Sequence, residues 1–218
     1  VTEALQPEFP ALSECVRCPR LAGALAAVRE SHPAYHARAV PAFGDRSPRL
    51  LIVGLAPGMH GANRSGRPFT GDYAGELLYA TLHAFGWSTA PVSVASDDAL
   101  RLDGCRITNA VKCWPPANKP EPSEIRTCNE YLRSEVAAMR SGTAILALGL
   151  VAHGAVLRAL GERAADHRFE HAAQHVLPGG RTLFDSYHCS RYNTQTRRLT
   201  PSMFEAVFTA IDSCLARR

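Results

Sequence analysis

The run RLLIVGLAPG (residues 49–58) decides the fold. Its aliphatic block LLIV is short and ends in glycine and proline turn signals, the pattern of a buried strand. Three further segments read the same way: CRITNAVKC (105–113), TAILALG (143–149) and RTLFDSYHCS (181–190). Helical patterns lie between them. AGELLYATLHAFGW (74–87) places Leu77, Leu78, Thr81, Leu82 and Phe85 at helical spacing. Ser123 is a candidate N-cap for a helix running through Met139, LVAHGAVLRAL (150–160) follows the third strand, and Pro201 opens a final helix. ALSECVRCPRLAGALAAVRE (11–30) reads as an N-terminal helical region interrupted at Pro19. Strands alternating with helices predict an α/β fold, a three-layer α/β/α sandwich around a central, mostly parallel four-stranded sheet. Such sheets bind ligands beyond the carboxyl ends of their strands. The loops starting at Gly54, near Asn109 and at His188 are therefore expected to line one crevice.

The 218 residues suit a single domain over residues 1–218, with an N-terminal helical region, and a core that needs no disulfides. An apolar fraction of 46% beside 20% charged residues is that of a folded globular chain, which excludes global disorder. No apolar run reaches the roughly 20 residues that cross a bilayer, and the first residues carry neither a basic head nor an apolar signal core. A cytoplasmic protein, not engaged with membranes, is expected. The net charge is +4, and Lys112 and Lys119 are the only lysines among 24 basic residues. Arginine's planar fork suits phosphate and base edges, although a charge this small allows a nucleic-acid partner without demanding one.

The chain has seven cysteines, an odd number that argues against a fully paired disulfide framework. Cys15 and Cys18 form a CxxC pair, and Cys113 and Cys128 bracket the proline-rich loop after the second strand. Four potential thiolates suit zinc or an iron–sulfur cluster, and spacing does not choose between them. Cys105, Cys189 and Cys214 are expected to be spectators. His167, His171 and His175 recur every four residues and could bind a metal on a helix, but with Arg168 and Glu170 interleaved they read as a solvated helix face.

GLAPG (54–58), HGANRSGRPFTGD (60–72), ITNAVKCWPPANKP (107–120) and HCSRYNTQTRRLT (188–200), together with the four cysteines, closely resemble family 5 of the uracil-DNA glycosylase superfamily, the type B iron–sulfur enzymes. The resemblance runs from about Cys15 to the last helix with the motifs in order. It implies a monofunctional glycosylase that hydrolyses the bond between uracil, or another deaminated or modified base, and its sugar in base excision repair. It also implies a structural [4Fe–4S] cluster on Cys15, Cys18, Cys113 and Cys128, with damaged DNA, double- or single-stranded, as partner and a monomer as the acting form. The alternatives are a relative specialised for another lesion and a catalytically silent iron–sulfur DNA-binding module. A nucleotide hydrolase is argued against, because the glycine-rich turn lacks the phosphate-loop lysine.

Base removal needs a platform for the extruded base, hydrogen bonds to its anion and a carboxylate near the sugar. The resemblance implies Phe69 as the platform, Asn109 as reader of the pyrimidine edge and His188 as donor to the departing base. Gly54, Leu55, Ala56, Pro57 and Gly58 would bring backbone close to the nucleotide. Superfamily members commonly carry an acid or amide within this turn. Leu55 and Ala56 cannot activate water, so the role passes to Asp72, whose competing reading is the N-cap of the helix beginning at Tyr73. Asn63, Arg64, Arg67, Ser190, Arg191, Tyr192 and Arg197 are candidate DNA contacts. Where the family often reads His-Pro-Ser followed by Pro-Leu, this chain has Cys189 for the first proline and Arg191-Tyr192 for the Pro-Leu pair. Tyr192 is then the candidate wedge.

Overall fold

The computed structural model describes residues 12–217. Its helices and strands are α1 (Pro19–Ser31), β1 (Phe43–Gly44), β2 (Leu50–Gly54), α2 (Ala62–Ser65), α3 (Tyr73–Ala84), β3 (Cys105–Asn109), α4 (Pro122–Ala137), β4 (Ala144–Leu148), α5 (Leu150–Leu160), β5 (Gln174–Leu177), β6 (Arg181–Ser186), α6 (Arg191–Gln195) and α7 (Pro201–Ala216). They build the expected α/β sandwich around one sheet in the order β1-β3-β2-β4-β6-β5. The four predicted strands form its parallel centre, pairing Gly54 with Asn109 at one point of the register and Leu148 with Ser186 at another. The sheet has six strands rather than four, because β1 and β5 add antiparallel edges.

The sandwich follows from the two-residue side-chain period of the central strands. Leu50 and Ile52 of β2 pack with Leu78, Tyr79 and Leu82 of α3 and Phe204, Val207, Phe208 and Ile211 of α7. Leu51 and Val53 point the other way, onto Leu132 and Val136 of α4 and Ala155, Val156 and Leu157 of α5. A third cluster joins Leu21 and Leu25 of α1 to Val111, Cys113, Cys128 and Tyr131. No helix among the described residues is long and apolar enough to cross a membrane.

Several local expectations are corrected. The cap of α4 is Glu121, not Ser123. Pro122 takes the first turn, where a missing N–H costs nothing, and Glu124 closes a reciprocal capping box. The N-terminal region is not one interrupted helix, since a short 3-10 turn (Leu12–Glu14) precedes α1, which starts at Pro19 itself. No helix carries the three histidines: His167 and His171 lie in turns, and His175 sits on edge strand β5.

Candidate active site and its surroundings

A cavity of about 520 Å³ opens at the carboxyl ends of β2, β3, β4 and β6. Its wall includes Leu55, Ala56, Pro57, Gly58, Phe69, Asp72, Asn109 and His188, so residues from three separate sequence segments meet there. Gly54 sits just behind this wall. A Cβ on it would stand 2.4 Å from Asn109 Oδ1 and 2.6 Å from Phe69 Cζ, so only a residue without a side chain lets these two groups approach here. Asn109 ends β3 and is 3% exposed, and its Oδ1 has no hydrogen-bond partner among the described residues. A buried amide oxygen left unpaired is costly, and here it borders the cavity.

Phe69 adopts a left-handed backbone conformation (φ 55°), and its ring lies 5.9 Å from that of His188, centroid to centroid, at 27°. His188 is half-buried, and burial holds its imidazole down at about 4, so the ring is neutral at neutral pH. Its carbonyl accepts from Asn193 Nδ2 at 2.8 Å, which fixes the start of the loop.

Asp72 is the N-cap of α3, and its Oδ1 accepts the Gly75 N–H at 2.9 Å. The competing reading is therefore realised, yet the same side chain borders the cavity. Oδ2 faces Gly61, where a Cβ would approach to 2.4 Å, so the turn leaves room for the carboxylate. Burial lifts the Asp72 carboxyl above the usual aspartate range, with the N–H groups of Gly75 and Ala74 partly offsetting it.

The candidate DNA contacts divide. Arg64, Arg191, Tyr192 and Arg197 are exposed, Ser190 is half-buried, and Ser190 and Arg191 reach the cavity rim. Ser190 caps α6, while the Arg191 guanidinium lies over the Tyr73 ring at 5.0 Å. Asn63 and Arg67 lie in the interior instead. Asn63 is fully buried, and Arg67 is 5% exposed, ion-paired with Asp98 at 2.5 Å and lying over the Phe43 ring. Asn63 packs within its own loop, donating to the Met59 carbonyl, whereas Arg67 ties that loop to the 93–98 segment. Sequence reasoning missed another part of the wall: Leu148 ends β4, Gly149, Leu150 and Val151 follow it, and Tyr73 and Asn118 also contribute. The strand-end rule applies to the third predicted strand as well and would have found the first four.

The four cysteines line one narrow cavity, where the Lys112 N–H donates to Cys128 Sγ at 3.2 Å. Burial pushes the Cys113 and Cys128 thiols up, to about 12 and about 11. The donor atoms that converge within 4.8 Å of one another among the described residues belong instead to His153, His175 and Asp185, with no cysteine in the set. The expectation of a [4Fe–4S] cluster is corrected on this ground, because the convergent donors are nitrogen and oxygen rather than thiolate.

Comparison with known proteins agrees with this geometry. The model of the uracil DNA glycosylase superfamily matches residues 41–212, which include every strand and the whole cavity wall. A type-5 uracil-DNA glycosylase of Thermus thermophilus is 48% identical over 200 residues, covering 88% of this chain and 90% of that protein. The type-5 enzymes of Mycobacterium tuberculosis and Pyrobaculum aerophilum are 43% and 42% identical, covering 90% and 87% of this chain and 76% and 84% of their own lengths. The chain belongs to the uracil-DNA glycosylase superfamily, and within it to the type-5 family.

Proposed function

We propose that this protein excises uracil, and other deaminated bases, from DNA by hydrolysing the N-glycosidic bond, leaving an abasic site. The observation that carries the reading is the cavity in which Phe69, Asp72, Asn109 and His188 meet, with the Asn109 oxygen unpartnered. That oxygen can accept from the N3–H of uracil while the amide nitrogen donates to O4. Phe69 supplies an aromatic surface against which the extruded base stacks, offsetting part of the few kcal/mol lost on unstacking.

As the bond between C1′ and N1 breaks, positive charge grows on the sugar and negative charge on the base. Neutral His188 donates an N–H to O2, a bond that strengthens as that oxygen becomes anionic. It need not surrender a proton to do so. The Asp72 carboxylate accepts from the water that attacks C1′ and offsets the sugar's charge, and its raised basicity favours this role. Neither lysine borders the cavity, which disfavours Schiff-base cleavage of the abasic product. Arg64, Arg191 and Arg197 hold phosphates, and Tyr192, 70% exposed, fills the gap left by the base.

The test is alkaline cleavage of duplex and single-stranded oligonucleotides carrying uracil, hypoxanthine, xanthine or hydroxymethyluracil after incubation with the protein. Base release from uracil-containing strands supports the reading, and tight binding without release refutes it. Release from another lesion alone would identify a relative of different specificity.

A further inference from the structure

We infer that His153, His175 and Asp185 form a site for one divalent metal ion of the zinc class, pinning α5 to the β5–β6 edge of the sheet. His153 lies in the first turn of α5, and Asp185 lies near the end of β6. On β5, His175 pairs with Leu183 of β6. Asp185 is two residues beyond Leu183 and so shares its face, the one that packs against α5. The topology thus gathers two imidazoles and a carboxylate from positions up to 32 residues apart.

Asp185 Oδ1 is 2.8 Å from His153 Nδ1, and Oδ2 is 3.0 Å from His175 Nε2. A tetrahedral ion with ligand bonds of about 2.0–2.1 Å separates its donor atoms by about 3.3 Å. Each imidazole nitrogen already lies within a few tenths of an ångström of that spacing from one carboxylate oxygen, and the three donor atoms all lie within 4.8 Å of one another. His153 already makes the bond that metal-binding histidines make at their other nitrogen. Nε2–H donates to the His167 carbonyl at 2.9 Å, leaving Nδ1 to ligate. The Asp185 side chain is wholly buried, and the described ion pairs on it come from these two histidines alone. An interior carboxylate needs a cation beside it. A divalent ion supplies one without charging either imidazole.

Entry and the fourth ligand position lie on the solvent side. The His175 and His167 side chains are 12% and 16% exposed, and their rings stand 5.4 Å apart, centroid to centroid. His167 or a water can complete the coordination there. Two nitrogens and an oxygen select zinc or its cobalt and nickel analogues over the soft ions that favour thiolate. None of the three residues borders the cavity, so the ion is structural. It joins the helix whose start supplies Leu150 and Val151 to the cavity wall with the strand that runs into His188.

The experiment titrates chelator-stripped, reduced protein with Co²⁺, following visible absorption, and measures the melting temperature with and without Zn²⁺. It uses the wild type, His175→Ala and the milder His175→Gln, all on the full chain and each checked by circular dichroism. Expected are ligand-field bands without a thiolate charge-transfer band, a zinc-dependent rise in melting temperature, and roughly tenfold or greater weakening in either variant. Wild-type protein that neither binds Co²⁺ at this site nor gains stability from Zn²⁺ overturns the proposal, and the three residues are then only an imidazole–carboxylate ion pair. Equal binding by wild type and both variants, or binding carried entirely by thiolate charge transfer, overturns it as well. None of these readouts involves base excision, so the site and the proposed activity stand or fall separately.

Discussion

Replacing Asp72 separates its two tasks. The carboxylate caps α3 through the Gly75 N–H and, in the proposed mechanism, serves the attacking water. Asparagine can accept the same backbone bond, so Asp72→Asn should leave the helix start within a few tenths of a kcal/mol of the wild type. Alanine cannot, and should cost about 1 kcal/mol, or a melting temperature lower by about 2–4 °C for a chain of this size. The chemical loss should be common to both. An amide is not a base and cannot offset the sugar's charge, so single-turnover release of uracil should fall roughly 10²–10⁴-fold in each variant. The assay is a single-turnover time course with enzyme in excess over a uracil duplex, alongside thermal melts. A rate near wild type for Asp72→Asn would refute the catalytic assignment and leave Asp72 as a cap alone.

Other consequences of the geometry are open to measurement. Gly61→Ala would drive a methyl to 2.4 Å from Asp72 Oδ2 and should slow base release tenfold or more. Gly23→Ala, in α1 with open space around it, should keep the rate and stabilise by up to about 1 kcal/mol in denaturant melts. His188 titrates at about 4 in the folded chain and near 6.5 when unfolded. The unfolded state therefore binds the extra proton between these values, and stability should fall as the pH drops from about 6.5 towards 4, by at most about 3 kcal/mol. The drop will be smaller to the extent that cavity water reaches the half-buried ring, and His188→Gln should flatten this part of the stability–pH curve. Arg67→Met should lose about 1.5–3 kcal/mol in equilibrium unfolding, because Asp98 loses its ion pair but, 18% exposed, keeps the N–H groups of Val94, Ala95 and Leu100. Arg191→Ala should leave stability nearly unchanged, weaken DNA binding, and reduce its salt dependence by about one counterion.

What the sequence made legible follows from where the energy lies. The strand LLIVG is buried at all five positions, so its continuous apolar run was an unambiguous signal. Strand β5, QHVL, is an edge strand with Gln174 exposed and Val176 83% exposed, and it carries no such run. Its histidine instead fell into a four-residue spacing that imitates a helix face. Strand β1 is two residues long and has no period to read. Motif resemblance indicated Asp72, Asn109 and His188, which the strand ends bring to one cavity. Arg67 looked like a phosphate grip because its partner, Asp98, lies 31 residues away in a segment with no motif. His153 and Asp185 were equally opaque, as neither is remarkable until a helix turn and a strand end are folded together.

The missing side chain at position 54 ties two properties of the cavity to one atom's worth of space. The amide that would read the base and the ring that would support it both press against the same backbone carbon. Any residue larger than glycine there must move both, so hydrogen-bond choice and stacking fit cannot be tuned one at a time from this side. The part of the wall that follows β4 has slack, since Leu150 is 65% exposed and Val151 is 37% exposed. A redesign for bulkier or differently substituted bases should therefore begin at these two positions and keep the glycine.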